Sequence, residues 1–407
     1  MGGEVGALQT QLAGRSLARS LKVNAFLSLL FAYSLIPELS FILPVVKVVL
    51  LLVFTILSFL LYSADLRLSG ITTVRYVVSR CSSVRFLFGY LLLGVLSVIW
   101  SVDIERSILY SLLTFYAFFA VLFLLASSYW ENKNVIVLAK KVVLSIVFAK
   151  ILAGFLTWTP GTQFIDHFHG VAGFEALTAI ILMLCNKVRW SDIPVLMFLI
   201  LVIGLSTSVK TYFSLLVFFI VVTFLSSSRI QKLIIFIILA GFSAYLLTVF
   251  MSFTDTSLLG RLEHGSGRLA IFTFLIERFE SASELQKLIG FGYAAGDKFE
   301  LENMTFYNAH NVLLSALLNL GILGLFLQIL VFFSAANHLR KKFVLNERIF
   351  VILFGGIAAA STNALANQST AGPLSGPFLC TLILLTLATW SGANTRPNTS
   401  DIRRRTA

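Results

Sequence analysis

The sequence predicts an all-α polytopic membrane protein with about 12 transmembrane helices. Of its 407 residues, 58% are hydrophobic and only 12% are charged, whereas about a quarter of a soluble globular protein is charged. Apolar stretches recur along the chain, and each is long enough, or nearly so, to cross roughly 30 Å of hydrocarbon as a helix. Because hydrocarbon contains no water to satisfy backbone groups, such stretches are expected to be helical.

Twelve apolar stretches are predicted as spans, in chain order. The first, third and sixth are short, so their ends are the least sharply defined. The spans cover residues 24–37, 43–63, 86–100, 107–127, 134–157, 172–186, 193–208, 211–226, 233–252, 309–335, 348–366 and 373–391.

The distribution of basic residues predicts the orientation of these spans. With both termini inside, the cytoplasmic segments hold 22 of the 31 Lys and Arg residues and the outer segments hold seven, while Lys47 and Lys150 lie within spans. Lys and Arg are enriched on the cytoplasmic side of membrane proteins. We therefore predict a cytoplasmic N-terminus (1–23), one transmembrane domain (24–391) and a basic cytoplasmic tail (392–407).

The net charge of +12 follows from this topological bias and does not indicate nucleic-acid binding. Anionic lipid headgroups are the partners that it favours. The three cysteines, Cys81, Cys185 and Cys380, fall on the cytoplasmic side or within spans. No disulfide framework is therefore expected on the outer face.

One outer connection is long, residues 253–308. A loop of this length in a compact protein is usually functional or disordered. Within it, RLAIFTFLIERFES begins at Arg268 and places Leu269, Phe272 and Phe279 on one helical stripe, with Ile276 between them. This pattern predicts a helix that lies along the membrane surface, either to cover the bundle or to contribute to a site.

Two arginines in this loop are candidate phosphate ligands. Arg261 and Arg268 flank LEHGSG, whose glycines allow close approach of a ligand. An arginine is always charged and can bind phosphate through two parallel hydrogen bonds. Ion pairs with Glu263 or Asp255, or contacts with lipid phosphates, are the structural alternative. The glycine-rich GFGYAAG at 290–296 is not GxGxxG and follows no strand, so we predict a turn leading back to the membrane.

The tenth span opens with a histidine and an asparagine, His310 and Asn311, before a run of apolar residues. An imidazole with a pKa near 6.5 can accept a proton at neutral pH, and Asn311 can orient the ring or bind a hydroxyl group. A histidine that only caps its helix is the alternative.

Other polar residues leave several interpretations open. Asp166, His167 and His169 lie in an outer loop and, with His264, form either a zinc site, a substrate contact or a solvated loop. Glu175 and the intramembrane Lys150 are costly to bury, so we expect them to pair with each other or to line a cleft.

His310-Asn311, nine residues, Gly321, two residues and Gly324 form HNx9GxxG, which resembles the signature of bacterial O-antigen ligases and of the related O-antigen and exopolysaccharide polymerases. Three weaker elements follow the order of that family. They are WSVDIERS at 100–107, GVAGF at 170–174 and GSGRL at 265–269. The pattern extends over roughly residues 86–390.

The resemblance implies a GT-C-like, metal-independent glycosyltransferase without a cofactor, at the periplasmic face of the bacterial inner membrane. Such enzymes transfer a glycan from undecaprenyl pyrophosphate to a hydroxyl group of lipid A-core (ligase) or of another lipid-linked glycan (polymerase). It makes His310 the catalytic residue, and Arg268, Arg261 and Asn311 substrate-binding residues. The ligase is preferred because HNx9GxxG is closest to the ligase form.

The chain departs from the family at one position. GLSTSVKTYF carries Lys210 where the family has an arginine at a short outer turn, and a lysine keeps the charge without the bidentate geometry. A transporter or flippase of lipid-linked glycans is the rival class. Inverted repeats and helices broken at mid-membrane would be typical of a transporter, whereas this chain gathers its polar residues at one outer surface.

Overall fold

The computed structural model describes most of the central and C-terminal parts of the chain. Predicted spans 24–37, 43–63 (apart from Val53) and 233–252 lie outside the described residues, as do both predicted tails. The described residues are 53, 78, 82–130, 135–157, 172–185, 188–206, 208–226, 268–296, 299–301, 304–306, 311–343, 348–365 and 376–390.

The described part is helical apart from one short hairpin. Each of the nine predicted spans within it is an α-helix, with ends close to those expected from the apolar runs. The helices are α1 (Ser82–Leu96), α2 (Ile104–Trp130), α3 (Val135–Thr157), α4 (Gly173–Leu184), α5 (Ile193–Leu205), α6 (Val209–Ser226), α7 (Arg268–Glu280), α8 (Glu284–Ile289), α9 (Val312–Phe343), α10 (Arg348–Leu365) and α11 (Gly376–Trp390).

The remaining elements are short. A 3-10 turn, Ser97–Ile99, extends α1, and a second, Trp190–Asp192, leads into α5. The antiparallel strands β1 (Phe299–Leu301) and β2 (Met304–Phe306) pair within the long loop. Helix α8 begins at a capping box, in which the Ser283 hydroxyl accepts from the backbone nitrogen of Gln286 and so satisfies a donor that the helix leaves unpaired.

Two helical segments of the described chain are long and apolar enough to cross a membrane, Ser82–Ile99 and Val312–Arg340. Five shorter helical segments are also apolar. They are Gly173–Leu184, Trp190–Leu205, Lys210–Leu225, Ile349–Leu365 and Pro377–Ala388.

Helix α11 lies at the centre of the bundle, where almost every side chain from Phe378 to Ala388 is buried. Helices α6 and α10 pack closely, because Gly355 of α10 has so little space that a Cβ atom there would lie 2.6 Å from Val222. Lys150 of α3 and Glu175 of α4 form an ion pair of 2.9 Å. Of the two predicted alternatives, pairing with each other or lining a cleft, the structure shows that the two residues pair.

The predicted surface helix is present as α7, but its buried stripe differs from the predicted one. Ile271 and Leu275 are buried and form a small core with Phe291 and Leu318. Ile276, which belongs to the predicted stripe, is 47% exposed. Helix α7 therefore has a buried apolar side that packs on this core and an exposed apolar side chain at Ile276.

The predicted single span at 309–335 is also different. Helix α9 is interrupted at Leu320 (φ −130°, ψ 18°) and Gly321 (φ 65°, ψ −160°). The chain therefore forms two helical segments that meet at a sharp break. The segment after the break, about 22 residues, is roughly 33 Å long and matches the thickness of hydrocarbon by itself.

Candidate functional site

The predicted site residues are described to different extents. Lys210 lies in the first turn of α6, Asn311 immediately precedes α9, and Arg268 is the first residue of α7. His310 and Arg261 lie outside the described residues, as do the residues of the candidate zinc site, Asp166, His167, His169 and His264.

Asn311 fixes the start of α9. Its Oδ1 accepts from the backbone nitrogens of Leu313 (2.9 Å) and Leu314 (3.1 Å), and its Nδ2 donates to the backbone oxygen of Leu365 over 3.0 Å. The first two bonds are an N-cap, and the third ties the start of α9 to the end of α10. Asn311 is the residue that follows His310 in the sequence.

The break in α9 is filled by the residues GFGYAAG, which we call the 290–296 segment. At a break, carbonyl oxygens lose their partners within the helix and require others. Phe291 donates its backbone N–H to the oxygen of Leu318 (2.9 Å) and Gly292 donates to the oxygen of Asn319 (3.0 Å). Gly296 donates to the Asn319 side chain over 3.0 Å. The predicted turn is confirmed, but it is a buried turn that completes another helix.

The glycines of HNx9GxxG have a structural reason. Gly321 has a backbone conformation that residues with a side chain rarely adopt, and a Cβ atom there would lie 2.6 Å from the backbone nitrogen of Ile289. At Gly324 a Cβ atom would lie 2.9 Å from the oxygen of Ala316 and 3.4 Å from the Tyr90 ring. The first glycine therefore permits the break, and the second permits the two halves of α9 to stay close.

A set of serines near the end of α1 holds the 290–296 segment from the other side. Ser97 Oγ accepts from the backbone nitrogen of Tyr293 (2.8 Å), and Ser107 Oγ donates to the Tyr293 oxygen (2.7 Å) and contacts Ser101 Oγ (2.7 Å). Tyr293 itself is completely buried and packs edge-on against Tyr90. We call Ser97, Ser101 and Ser107 the serine clamp.

The rest of the WSVDIERS stretch binds the same segment. Val102 donates its backbone N–H to the oxygen of Phe291 (2.9 Å), and Trp100 Nε1 donates to the oxygen of Ile289 (3.3 Å). Arg106 Nε donates to the oxygen of Ala294, and its guanidinium lies 5.1 Å from the centre of the Tyr110 ring. Two parts of the chain about 190 residues apart are thus joined by side-chain and backbone hydrogen bonds.

Helix α7 packs against the 290–296 segment and the broken helix α9. Its Ile271 and Leu275 pack against Phe291 and Leu318, and the Arg278 guanidinium lies 4.7 Å from the centre of the Phe291 ring. A cation above an aromatic face is attracted by the ring quadrupole. Arg268, at the first position of α7, is therefore tied to the break in α9 through a packed helix.

A second group of polar residues surrounds the start of α4. Gly173 lies so close to Ser206 and Thr211 that a Cβ atom would be 2.5 and 2.8 Å from their hydroxyl oxygens. Both hydroxyl-bearing residues are buried and flank Lys210. The GVAGF and GLSTSVKTYF stretches are thus in direct contact.

Helices α4 and α11 run parallel where they pack together. Ile181 and Leu384 both border Gly356, and the side chains of Thr178 and Cys380 are hydrogen-bonded, so the two helices advance in the same direction. The start of α4 lies beside α3, where Glu175 pairs with Lys150.

Sequence reasoning missed the 290–296 segment as part of this framework. The signal in the sequence was its three glycines, two of which, Gly290 (φ 78°) and Gly292 (φ 110°), have positive φ. Among the described residues, no group of three or more His, Cys, Asp or Glu side chains is placed to hold a metal ion. In comparisons with known proteins, the chain matches no protein-family model and no curated protein sequence.

Proposed function

We propose that this protein is a polytopic inner-membrane glycosyltransferase with about twelve spans, both termini cytoplasmic and its active site at the periplasmic face. It transfers a glycan from undecaprenyl pyrophosphate to an acceptor hydroxyl, and lipid A-core is the preferred acceptor, as for an O-antigen ligase. The observation that carries the proposal is the convergence of the stretches that resemble this family. WSVDIERS contacts the helix that carries HNx9GxxG through the 290–296 segment, and GVAGF contacts GLSTSVKTYF, which carries Lys210.

The surface of α9 supports a membrane location. After the break, four large apolar side chains lie on one helical face and are 48–65% exposed, namely Ile322, Phe326, Ile329 and Phe333. A contiguous apolar surface of this kind indicates an apolar surrounding or a partner. Polar side chains of the same helix lie inside the bundle, since Ser315, Asn319 and Gln328 are fully buried.

The reaction requires a proton acceptor and a site for a departing anion. The acceptor oxygen bonds to the anomeric carbon while the bond from that carbon to the pyrophosphate oxygen breaks and the leaving group takes the electron pair. His310 accepts the hydroxyl proton in this proposal. Arg268, Arg261 and Lys210 stabilise the charge that develops on the pyrophosphate. Asn311, whose Oδ1 and one N–H are occupied by the cap and the tether, keeps one N–H for a sugar hydroxyl.

The test is release of undecaprenyl pyrophosphate by the purified protein when it is given undecaprenyl-pyrophosphate glycan and lipid A-core. We expect His310→Ala and Arg268→Ala to abolish transfer while the protein still inserts. His338→Ala is the matched control, since His338 lies on the same helix near its other end and should leave transfer unchanged. Absence of release with every acceptor tried would refute the enzyme. A single addition to lipid A-core identifies a ligase, and a ladder of repeats identifies a polymerase.

A further inference from the structure

Asn363 is a buried carboxamide whose hydrogen-bonding groups are unused. The residue is 0% exposed, and neither Oδ1 nor Nδ2 has a partner within the described structure. A buried polar group without a partner destabilises the folded protein, and such a group in a native protein calls for an explanation.

Asn363 lies beside the candidate site. It precedes Leu365 by two residues in the last turn of α10, and the backbone oxygen of Leu365 accepts from Asn311 Nδ2. Asn311 in turn follows His310 directly. The unpaired carboxamide is therefore within one helical turn of the contact that positions the proposed catalytic histidine.

Asn363 lies on the face of α10 that packs inside the bundle. A Cβ atom on Gly356 would lie 3.2 Å from Ile181 of α4 and 3.4 Å from Leu384 of α11. Asn363 follows Gly356 by seven residues, which is about two turns, and so lies on the same face of α10.

We propose that Asn363 binds a sugar group that offers a donor and an acceptor side by side, which is an acetamido group or a pair of neighbouring hydroxyls. The identity of the ligand as a glycan rests on the proposed function. The carboxamide is kept unpaired in the free protein because its partners belong to the substrate. Asn363 is then a specificity-determining residue, since a substrate without the matching groups leaves it buried and unsatisfied.

Ligand access requires a limited movement. Asn363 is two residues from the end of α10, and the last turn of a helix is held by fewer internal hydrogen bonds than its interior. In this proposal, displacement of the turn opens the hydrogen bond from Asn311 to Leu365 and exposes the carboxamide to the substrate.

The experiment compares thermal unfolding of the purified protein and of Asn363→Leu, each with and without two probes. The probes are farnesyl-pyrophosphoryl N-acetylglucosamine and farnesyl-pyrophosphoryl glucose, which differ in the acetamido group. Without a probe, we expect Asn363→Leu to raise Tm by about 2 °C or more, because leucine removes an unsatisfied polar group of similar size. A ligand that binds the folded state raises Tm, and we expect at least one probe to do so for the wild type but not for the variant.

Ser83→Ala is the control, since Ser83 is also buried with an unpartnered hydroxyl but lies at the start of α1. It should keep the Tm increase given by the probe. Asn363→Ala provides a second variant in case leucine is not accommodated, and it should also lose that increase.

Two results would overturn the proposal. One is a probe-induced Tm increase that persists in both Asn363 variants, and the other is the absence of any increase in the wild type. Binding is measured without transfer, so a chain that binds a probe through Asn363 but releases no pyrophosphate would refute the proposed enzyme and keep this inference. If both Asn363 variants transfer glycan with an unchanged KM for the glycan donor, the role of Asn363 is refuted and the proposed enzyme is kept.

Discussion

A Cβ atom on Gly321 would lie 2.6 Å from the backbone nitrogen of Ile289, so the end of α8 rests directly on the break in α9. This contact joins the long loop to the helix that follows His310. It also explains why a glycine of the HNx9GxxG pattern stands well away from the proposed catalytic histidine. Gly321 allows the break in α9, whereas the role proposed for His310 is to accept a proton from the substrate.

We expect Gly321→Ala to lower the free energy of unfolding by about 1–3 kcal/mol, because the alanine must adopt a strained backbone conformation. Displacement of α8 by the added side chain adds to this loss. Gly204→Ala is the matched control, since a Cβ atom added to Gly204 would have nothing within 4 Å and alanine favours a helix. Thermal unfolding of both variants in the same detergent gives the comparison. Equal Tm values for the two would show that the break tolerates a side chain.

Ser107→Ala should loosen the 290–296 segment. The variant leaves the Tyr293 oxygen without its hydroxyl donor in a buried position, which costs about 1–3 kcal/mol. Hydrogen exchange of a peptide covering 290–296 should speed up. Ser145→Ala is the control, because it removes an exposed hydroxyl bonded to the Lys141 oxygen. It should change neither the stability nor the exchange rate of the 290–296 peptide. An unchanged exchange rate in Ser107→Ala would argue against the serine clamp.

Substitutions at Asn311 separate its two structural roles. Asn311→Ser keeps an oxygen for the N-cap and loses the donor to Leu365, whereas Asn311→Ala loses both. Loss of an N-cap costs about 0.5–2 kcal/mol, so the alanine variant should be the less stable by about that amount. Chemical or thermal unfolding measures the difference. If the two variants are equally stable, the cap contributes nothing and the tether accounts for the role of Asn311.

The ion pair of Lys150 and Glu175 should behave as a unit. Its side chains are 13% and 2% exposed, and removing one partner from a buried pair costs about 3–5 kcal/mol because the other charge stays buried alone. We expect Lys150→Met and Glu175→Gln each to reduce folded yield and Tm, and the double variant to recover most of the loss. Additive losses in the double variant would show that the two residues do not depend on each other.

The positions of the helices could be predicted from the sequence because apolar runs are a local property. Each of the nine predicted spans within the described chain is helical, from α1 (Ser82–Leu96) to α11 (Gly376–Trp390), although the span predicted at 309–335 contains the break at Gly321. The capacity of Lys150 and Glu175 to pair also followed from the cost of burying either charge alone.

The break at Gly321 could not be predicted, because the run from 312 to 335 is largely apolar and an isolated glycine costs a helix only about 1 kcal/mol. The break depends on the 290–296 segment, which replaces the lost hydrogen bonds from outside the helix. The buried side of α7 could not be predicted for the same reason, since its partners Phe291 and Leu318 are distant in sequence. The local pattern of apolar residues does not identify contacts between residues that are distant in sequence.

The serine clamp has a consequence for the order in which the chain assembles. Ser107 is synthesised 186 residues before Tyr293, and the oxygens of Leu318 and Asn319 that receive the 290–296 segment follow later still. Until then, the clamp hydroxyls have partners only from their own stretch of chain, such as the Gly94 oxygen for Ser97 and the Ser101 hydroxyl for Ser107. This part of the bundle therefore closes only after α9 has been made, and the tether from Asn311 to Leu365 forms later still.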